Sequence, residues 1–341
     1  MTYLLKKSEV NQTLRAWTSK AHVYAPQKVQ KYAQFLPVGE DFELSVEEPH
    51  NTRFPPKALF LPQSETLLKY NPQKRELESA KTPDQPRIIF GIRPCDAKAV
   101  TLLDSVFSSE DNPDPFWQAR RDQSVLVGLG CDQPCATCFC TSVESGPFDR
   151  SGLDAILTDL GDTYAVEPLT ERGVSLFENL TVASAETTQT IQAIQEKATR
   201  EMPIAFGREG LKAHLDELFE NEIWEDFAKS CLGCGICTFL CPTCFCFDIV
   251  DEVRKSTRER NWDTCMFKVY SIEASGHNPR PSRRERTRQR LMHKYSYWLD
   301  HTGQTGCTGC GRCVRYCPVG LDIRAMVRKS VATPSEVPHV D

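Results

Sequence analysis

The sequence predicts an N-terminal α/β domain followed by an α+β domain organised by cysteines, and three observations point that way. Two apolar β-rich runs, Arg87–Ile92 and Ser124–Leu129, flank a helical stretch from Ala97 to Phe107, the order of a βαβ unit with parallel pairing. A twelve-residue cysteine phrase occurs twice in the last third of the chain, beginning at Cys231 and at Cys307. The chain has 341 residues, 40% hydrophobic and 26% charged, which fits about two globular domains with real cores. The expected domains are 1–200 and 201–341, with 243–306 a long insertion between the two phrases.

Taken in order, Ser8 to Lys20 reads as an amphipathic helix capped by Ser8, with Val10, Leu14 and Trp17 on one face. His22 to Tyr24 is extended. Glu40 to Gln63 is proline-rich and irregular, since Pro55-Pro56 excludes helix. The helix after Arg87–Ile92 takes Asp96 as its N-cap and buries Val100, Leu103 and Phe107. Ala155–Thr158 and Thr163–Val166, joined through Gly161-Asp162, form a hairpin. Thr187–Glu201 is a polar helix and Gly210–Lys229 a stronger one. Beyond Asp322 come a short helix and a proline-containing tail, Pro334 to Asp341.

The repeated phrase carries the chemistry. Its copies are Cys231-Leu-Gly-Cys234-Gly-Ile-Cys237-Thr-Phe-Leu-Cys241-Pro242 and Cys307-Thr-Gly-Cys310-Gly-Arg-Cys313-Val-Arg-Tyr-Cys317-Pro318. This C-x2-C-x2-C-x3-C-P spacing is how bacterial-type ferredoxins hold 4Fe–4S clusters, the fourth cysteine of each run serving the other cluster. Cys231, Cys234, Cys237 and Cys317 are thus expected on one cluster, and Cys307, Cys310, Cys313 and Cys241 on the second. Gly233, Gly235, Gly309 and Gly311 let the backbone curl around the sulfurs. Structural zinc explains neither the third cysteine nor the proline of each run. A disulfide scaffold is excluded by length and by the clustering of the sixteen cysteines.

A third constellation follows the two strands. Cys95 comes after one and Cys131 after the next, and at the carboxyl edge of a parallel sheet both emerge where ligands bind, outside a switch point. Cys135, Cys138 and Cys140 lie just beyond. Five thiols at one edge point to a third 4Fe–4S cluster, with zinc as the rival. Cys244, Cys246 and Cys265 are left over. They read as hydrogen-bonding neighbours of a cluster, the alternative being a fourth metal site with His277 or His293. The arginine-dense stretch Arg280 to Arg290 reads as a solvated basic face or a docking patch for an acidic partner; a net charge of −5 argues against bulk nucleic-acid binding. Positive charge close to a cluster raises its potential, because the added electron is negative.

Phe54-Pro-Pro-Lys57, Gly91-Ile-Arg-Pro-Cys95-Asp96 and Cys131 with Cys138-Phe-Cys140 resemble the β subunits of cytoplasmic sulfhydrogenases. They are similar also to the A subunit of anaerobic sulfite reductase and to subunits of flavin oxidoreductase–heterodisulfide reductase assemblies. The resemblance continues through Cys241-Pro-Thr-Cys-Phe-Cys246, Trp262-Asp-Thr-Cys265 and His277-Asn-Pro-Arg280, and so covers most of the chain. It implies Cys95, Cys131, Cys138 and Cys140 as the third ligand set; Cys135 departs from the pattern and is the substitute. It also implies an electron-transfer subunit, without catalysis of its own, between a flavin subunit that binds FAD and handles NAD(P)H and a catalytic partner: hydrogenase, sulfite reductase or heterodisulfide reductase.

The residues themselves offer no dinucleotide fingerprint or Walker lysine. Asp96, Asp132 and His301 form no convincing acid–base pair. The first residues lack the apolar stretch of a signal peptide, no run approaches the roughly 18 apolar residues of a membrane span, and a reducing, anoxic cytoplasm is expected. Two other readings are a catalytic or flavin-contacting reductase built on the N-terminal cluster, and an iron–sulfur sensor that binds nucleic acid through its arginines.

Overall fold

The computed structural model describes residues 1–46 and 51–334. Most of the expected tail, Pro334 to Asp341, lies outside them. The chain forms two compact units. The first comprises 1–60, 82–203 and 308–310; the second comprises 61–81, 204–307 and 311–341. The expected division near residue 200 did not foresee the exchange of 61–81 and 308–310.

The first unit is built on an eight-stranded sheet. Its order is Thr181–Val182, Tyr3–Lys6, Thr163–Pro168, Ala155–Asp159, Ser124–Leu129, Arg87–Ile92, His22–Val29 and Tyr32–Pro37. Four neighbours, His22–Val29, Arg87–Ile92, Ser124–Leu129 and Ala155–Asp159, pair in parallel. They follow one another in chain order, so their connections never reverse, and the expected switch point is absent from this parallel core. Arg87–Ile92 is buried at all six positions, as a strand covered on both faces must be. Trp17 meets Phe90 and Phe177 edge-on at 6.3 and 5.5 Å in the core.

Two helix starts differ from the sequence reading. The first helix spans Lys7–Trp17 and has no side-chain cap, so Ser8 lies inside it. The second spans Pro94–Phe107, with Arg93 as N-cap and Asp96 buried in its first turn. Pro94 at the first helical position sets that start, because its ring fixes φ and its missing N–H needs no partner there.

The second unit contains the four-stranded antiparallel sheet Phe247–Glu252, Thr257–Trp262, Ser64–Asn71 and Glu76–Ser79. Part of the insertion thus forms a hairpin that pairs with Ser64–Asn71. Arg260 Nη2 and Glu65 Oε2, 2.6 Å apart, form an ion pair between the hairpin and Ser64–Asn71, their side chains only 3% and 6% exposed. The expected helix Gly210–Lys229 is two helices, Leu211–Glu217 and Ile223–Lys229, the intervening Leu218 carbonyl accepting from Trp224 Nε1 at 2.7 Å. No helix among the described residues is long and apolar enough to cross a membrane.

Candidate metal centres

In the second unit, Cys231, Cys234, Cys237 and Cys317 line one cavity of about 500 Å³, counting its open mouth. These are the four cysteines the spacing grouped, drawn from both phrases. The glycines between them adopt the left-handed conformation, Gly233 at φ 68° and Gly235 at φ 74°. This curl turns Gly233 N–H toward Cys231 Sγ at 3.4 Å. Leu321 N–H reaches Cys317 Sγ at 3.2 Å. Cys313 also lines the cavity, and Met266, Leu321 and Met326 supply apolar walls. Cys234 is exposed, whereas Cys231 is buried. Burial pushes the Cys237 thiol up.

Of the second expected set, Cys241, Cys307 and Cys313 lie in the second unit, and Cys310 belongs to the short stretch grouped with the first. Burial pushes the Cys313 thiol up to about 11, with Arg290 opposing the shift. Buried thiols resist ionisation, so loading a metal must displace their protons and supply compensating charge.

That compensation is present in the helix Arg283–Met292 and the π turn His293–Tyr297 that continues it. Arg286, Arg290 and Lys294 are buried, at 7%, 7% and 3% exposure. The expected solvated face or docking patch is therefore corrected at these positions. Arg283 and Arg284 donate to the backbone carbonyls of Cys231 and Glu220, and Arg288 stacks over Phe219 at 3.8 Å. Local composition made the stretch look solvated, but tertiary packing buries Arg286 and Arg290. Lys294 Nζ donates to Cys241 Sγ at 3.3 Å, Thr243 Oγ1 at 3.0 Å and the Gly306 carbonyl at 2.9 Å. Nε and Nη2 of Arg290 are buried without a hydrogen-bond partner. Burial opposes both charges, yet neighbouring thiols hold both pKa values above the ordinary ones: Cys237 and Cys313 foremost at Arg290, Cys241 and Cys244 at Lys294. An anionic group among these thiols matches that arrangement.

In the first unit, Cys95, Cys131, Cys135, Cys138 and Cys140 line a second cavity, about 400 Å³ including its mouth. The sheet edge brings together the five thiols the sequence singled out. Arg93 is buried and donates to the Gly130 carbonyl at 2.7 Å, with Cys131 Sγ 3.9 Å away. Cys135 and Cys138 are joined as a disulfide, while Cys95, Cys131 and Cys140 carry reduced sulfurs. Burial pushes the Cys140 thiol up to about 12, and Cys131 adds to the shift. Residues 308–310 complete the wall. Phe139 N–H donates to the Gly309 carbonyl at 2.8 Å, and Asn51 Nδ2 donates to the Cys310 carbonyl at 2.8 Å.

The leftover cysteines neighbour these sets. The hairpin closes with Asp263 N–H on the Cys246 carbonyl at 2.9 Å, and this brings Cys265 to Cys246. The Cys265 hydrogen bond holds the Cys246 thiol down at about 6 and pushes that of Cys265 up. Cys244 bonds with Cys241, which raises its pKa. His277 is exposed, and His293 packs on Phe245 and Trp298. Among the described residues, no three His, Cys, Asp or Glu side chains gather closely enough to hold a single ion. A cubane takes each thiolate on a different iron and tolerates wider spacing. All-sulfur donors, apolar walls and buried cations make the cysteine sets chemically compatible with such clusters.

The sequence reading missed Arg93, Arg290 and Lys294 as parts of these centres. A helical register places 286, 290 and 294 on one stripe alongside Thr287 and Leu291, and that mixed stripe was the available signal.

Residues 230–321 match the 4Fe-4S dicluster domain family. The chain is 32% identical over 307 residues to sulfhydrogenase 2 subunit beta of Pyrococcus furiosus, covering 88% of this chain and 89% of that protein. No solved structure matches.

Proposed function

Since the chain belongs to the sulfhydrogenase β-subunit family and carries a 4Fe-4S dicluster domain, we propose that it is the electron-transfer subunit of a multisubunit cytoplasmic oxidoreductase. In this reading it relays electrons between a flavin subunit that carries FAD and handles NAD(P)H, and a catalytic partner of hydrogenase, sulfite reductase or heterodisulfide reductase type. It holds three 4Fe–4S clusters: one on Cys231, Cys234, Cys237 and Cys317, one on Cys307, Cys310, Cys313 and Cys241, and one on Cys95, Cys131, Cys138 and Cys140. The third set needs Cys138 as a thiolate, so a dithiol reductant must first open its pairing with Cys135 by thiol–disulfide exchange, itself ending as a disulfide. The observation that carries the proposal is the convergence of four cysteines from two distant phrases on one apolar cavity beside a buried arginine.

Bound clusters of this type accept and release single electrons. The protein's part is to hold and tune them. The cysteines anchor the irons, and the glycine-curled backbone donates N–H bonds to Cys231 and Cys317, which stabilise charge on sulfur. The apolar walls limit water, so nearby charges act at low dielectric.

The test uses anaerobically prepared holoprotein. The isolated chain is expected not to oxidise NAD(P)H and to become reduced only when a flavin subunit is added. Robust NAD(P)H-to-dye turnover by this chain alone would sink the relay reading. Reduced-state EPR of ligand variants tests the assignment: Cys317→Ala should damage a dicluster signal and spare the N-terminal one, and Cys95→Ala the reverse. Cys135→Ala should keep all three; loss of the N-terminal signal there, with retention in Cys95→Ala, makes Cys135 the ligand.

A further inference from the structure

Arg290 and Lys294 stand one helical turn apart and point into the thiols of the second unit. Arg290 lines the cavity of Cys231, Cys234, Cys237 and Cys317. Lys294 lies 3.3 Å from Cys241 Sγ and spends its other bonds on a hydroxyl and a carbonyl, neither of them an acid. A buried cation without an anion costs several kcal/mol. The helix nevertheless delivers two, and it does so where it passes into a π turn, a form frequent at functional sites. Their positions make sense if the counter-charge is the group the thiols hold.

We propose that Arg290 and Lys294 set the reduction potentials of the two iron–sulfur centres of the dicluster domain, Arg290 acting on the one that includes Cys237 and Lys294 on the one that includes Cys241. This rests on the ligand sets proposed above. Each centre takes up one electron and becomes more negative by one charge. A fixed positive charge beside a cluster stabilises the reduced form more than the oxidised one and so raises the potential. Buried, it is screened little by salt. Both are positioning residues: they touch ligand sulfurs or the cavity the ligands line, and donate no proton to a product.

The experiment is an EPR-monitored redox titration of anaerobic holoprotein, wild type against Lys294→Met, Lys294→Arg, Arg290→Met and Arg290→Lys. In each methionine variant one dicluster potential should fall so that the reduced-to-oxidised ratio at fixed potential drops at least tenfold, about 59 mV for a one-electron couple. The charge-keeping variants should recover most of the shift. Full iron content with both potentials unmoved in the methionine variants overturns the inference. Wild type lacking dicluster iron instead overturns the ligand reading beneath it. Should the variants not retain iron, wild-type protein labelled with 15N-lysine decides the Lys294 half. A 15N coupling on a reduced dicluster signal is expected from its N–H···S bond, and absence of any such coupling overturns the assignment.

Discussion

Gly309→Ala tests whether the second cysteine phrase supports the N-terminal site as well as its own cluster. Gly309 sits at φ 64°, and a Cβ there would lie 2.5 Å from Cys140 N, Cys140 Cα and the Phe139 carbonyl carbon. Ordinary contact begins at 3.4 Å, and all three neighbours are backbone, so the Phe139–Cys140 loop must retreat. The left-handed conformation costs an alanine about 1–2 kcal/mol, and overpacking adds about 1–3 kcal/mol. The expected destabilisation is about 2–5 kcal/mol, with displacement of Cys140 and loss of the N-terminal EPR signal. Gly276→Ala is the control, since Gly276 has φ 84° but nothing within 4 Å of its Cβ position, leaving only the conformational cost. The assay is denaturant unfolding of anaerobic holoprotein together with reduced-state EPR. If Gly309→Ala is as mild as Gly276→Ala and keeps the N-terminal signal, the close approach to Cys140 is wrong.

Three further outcomes follow from the geometry. Glu65→Ala removes the carboxylate paired with the buried Arg260 guanidinium, and denaturant unfolding should register a loss of about 3–5 kcal/mol, most of it recovered in the Glu65→Leu, Arg260→Met double variant; a loss under about 1 kcal/mol speaks against the pairing of residues 64–71 with the hairpin. Burial, and then Lys294, lower the His293 pKa from 6.5 to about 4. The unfolded chain therefore binds this proton first as pH falls, so stability should decline between 6.5 and about 4 by up to about 3 kcal/mol and level off below; His293→Phe should flatten that slope in pH-dependent melts, and an unchanged slope refutes the assignment. Because Cys234 is exposed while Cys95 and Cys140 are buried, an iron chelator should strip the Cys231 set before the N-terminal one, as followed by EPR, and the opposite order contradicts the placement.

The cysteine geometry was legible because its causes are local. Spacing, interleaved glycines and strand-then-cysteine order each fix a short piece of backbone, and two cavities gather the Cys231 set and the sheet-edge cysteines. The sheet of the second unit was not legible. Glu76–Ser79 is exposed at every position and carries no apolar alternation to mark a strand. Its neighbour Ser64–Asn71 finds a partner through an ion pair spanning 195 positions, which no local window contains. The buried cations were hidden for a related reason. Arg290 and Lys294 look like surface residues until the thiols that face them are placed. Ser8 and Asp96 were plausible caps by residue type, but Lys7 and Pro94 already begin those helices.

The proposed relay places three iron–sulfur centres on one chain, two in the dicluster domain and one at the sheet edge. Iron and acid-labile sulfide analysis of anaerobically purified protein tests it most directly. Three cubanes predict about twelve irons and about twelve sulfides per chain. About eight of each would contradict the centre at Cys95, Cys131, Cys138 and Cys140, and stoichiometric zinc in place of the missing iron would reassign that site to a different metal.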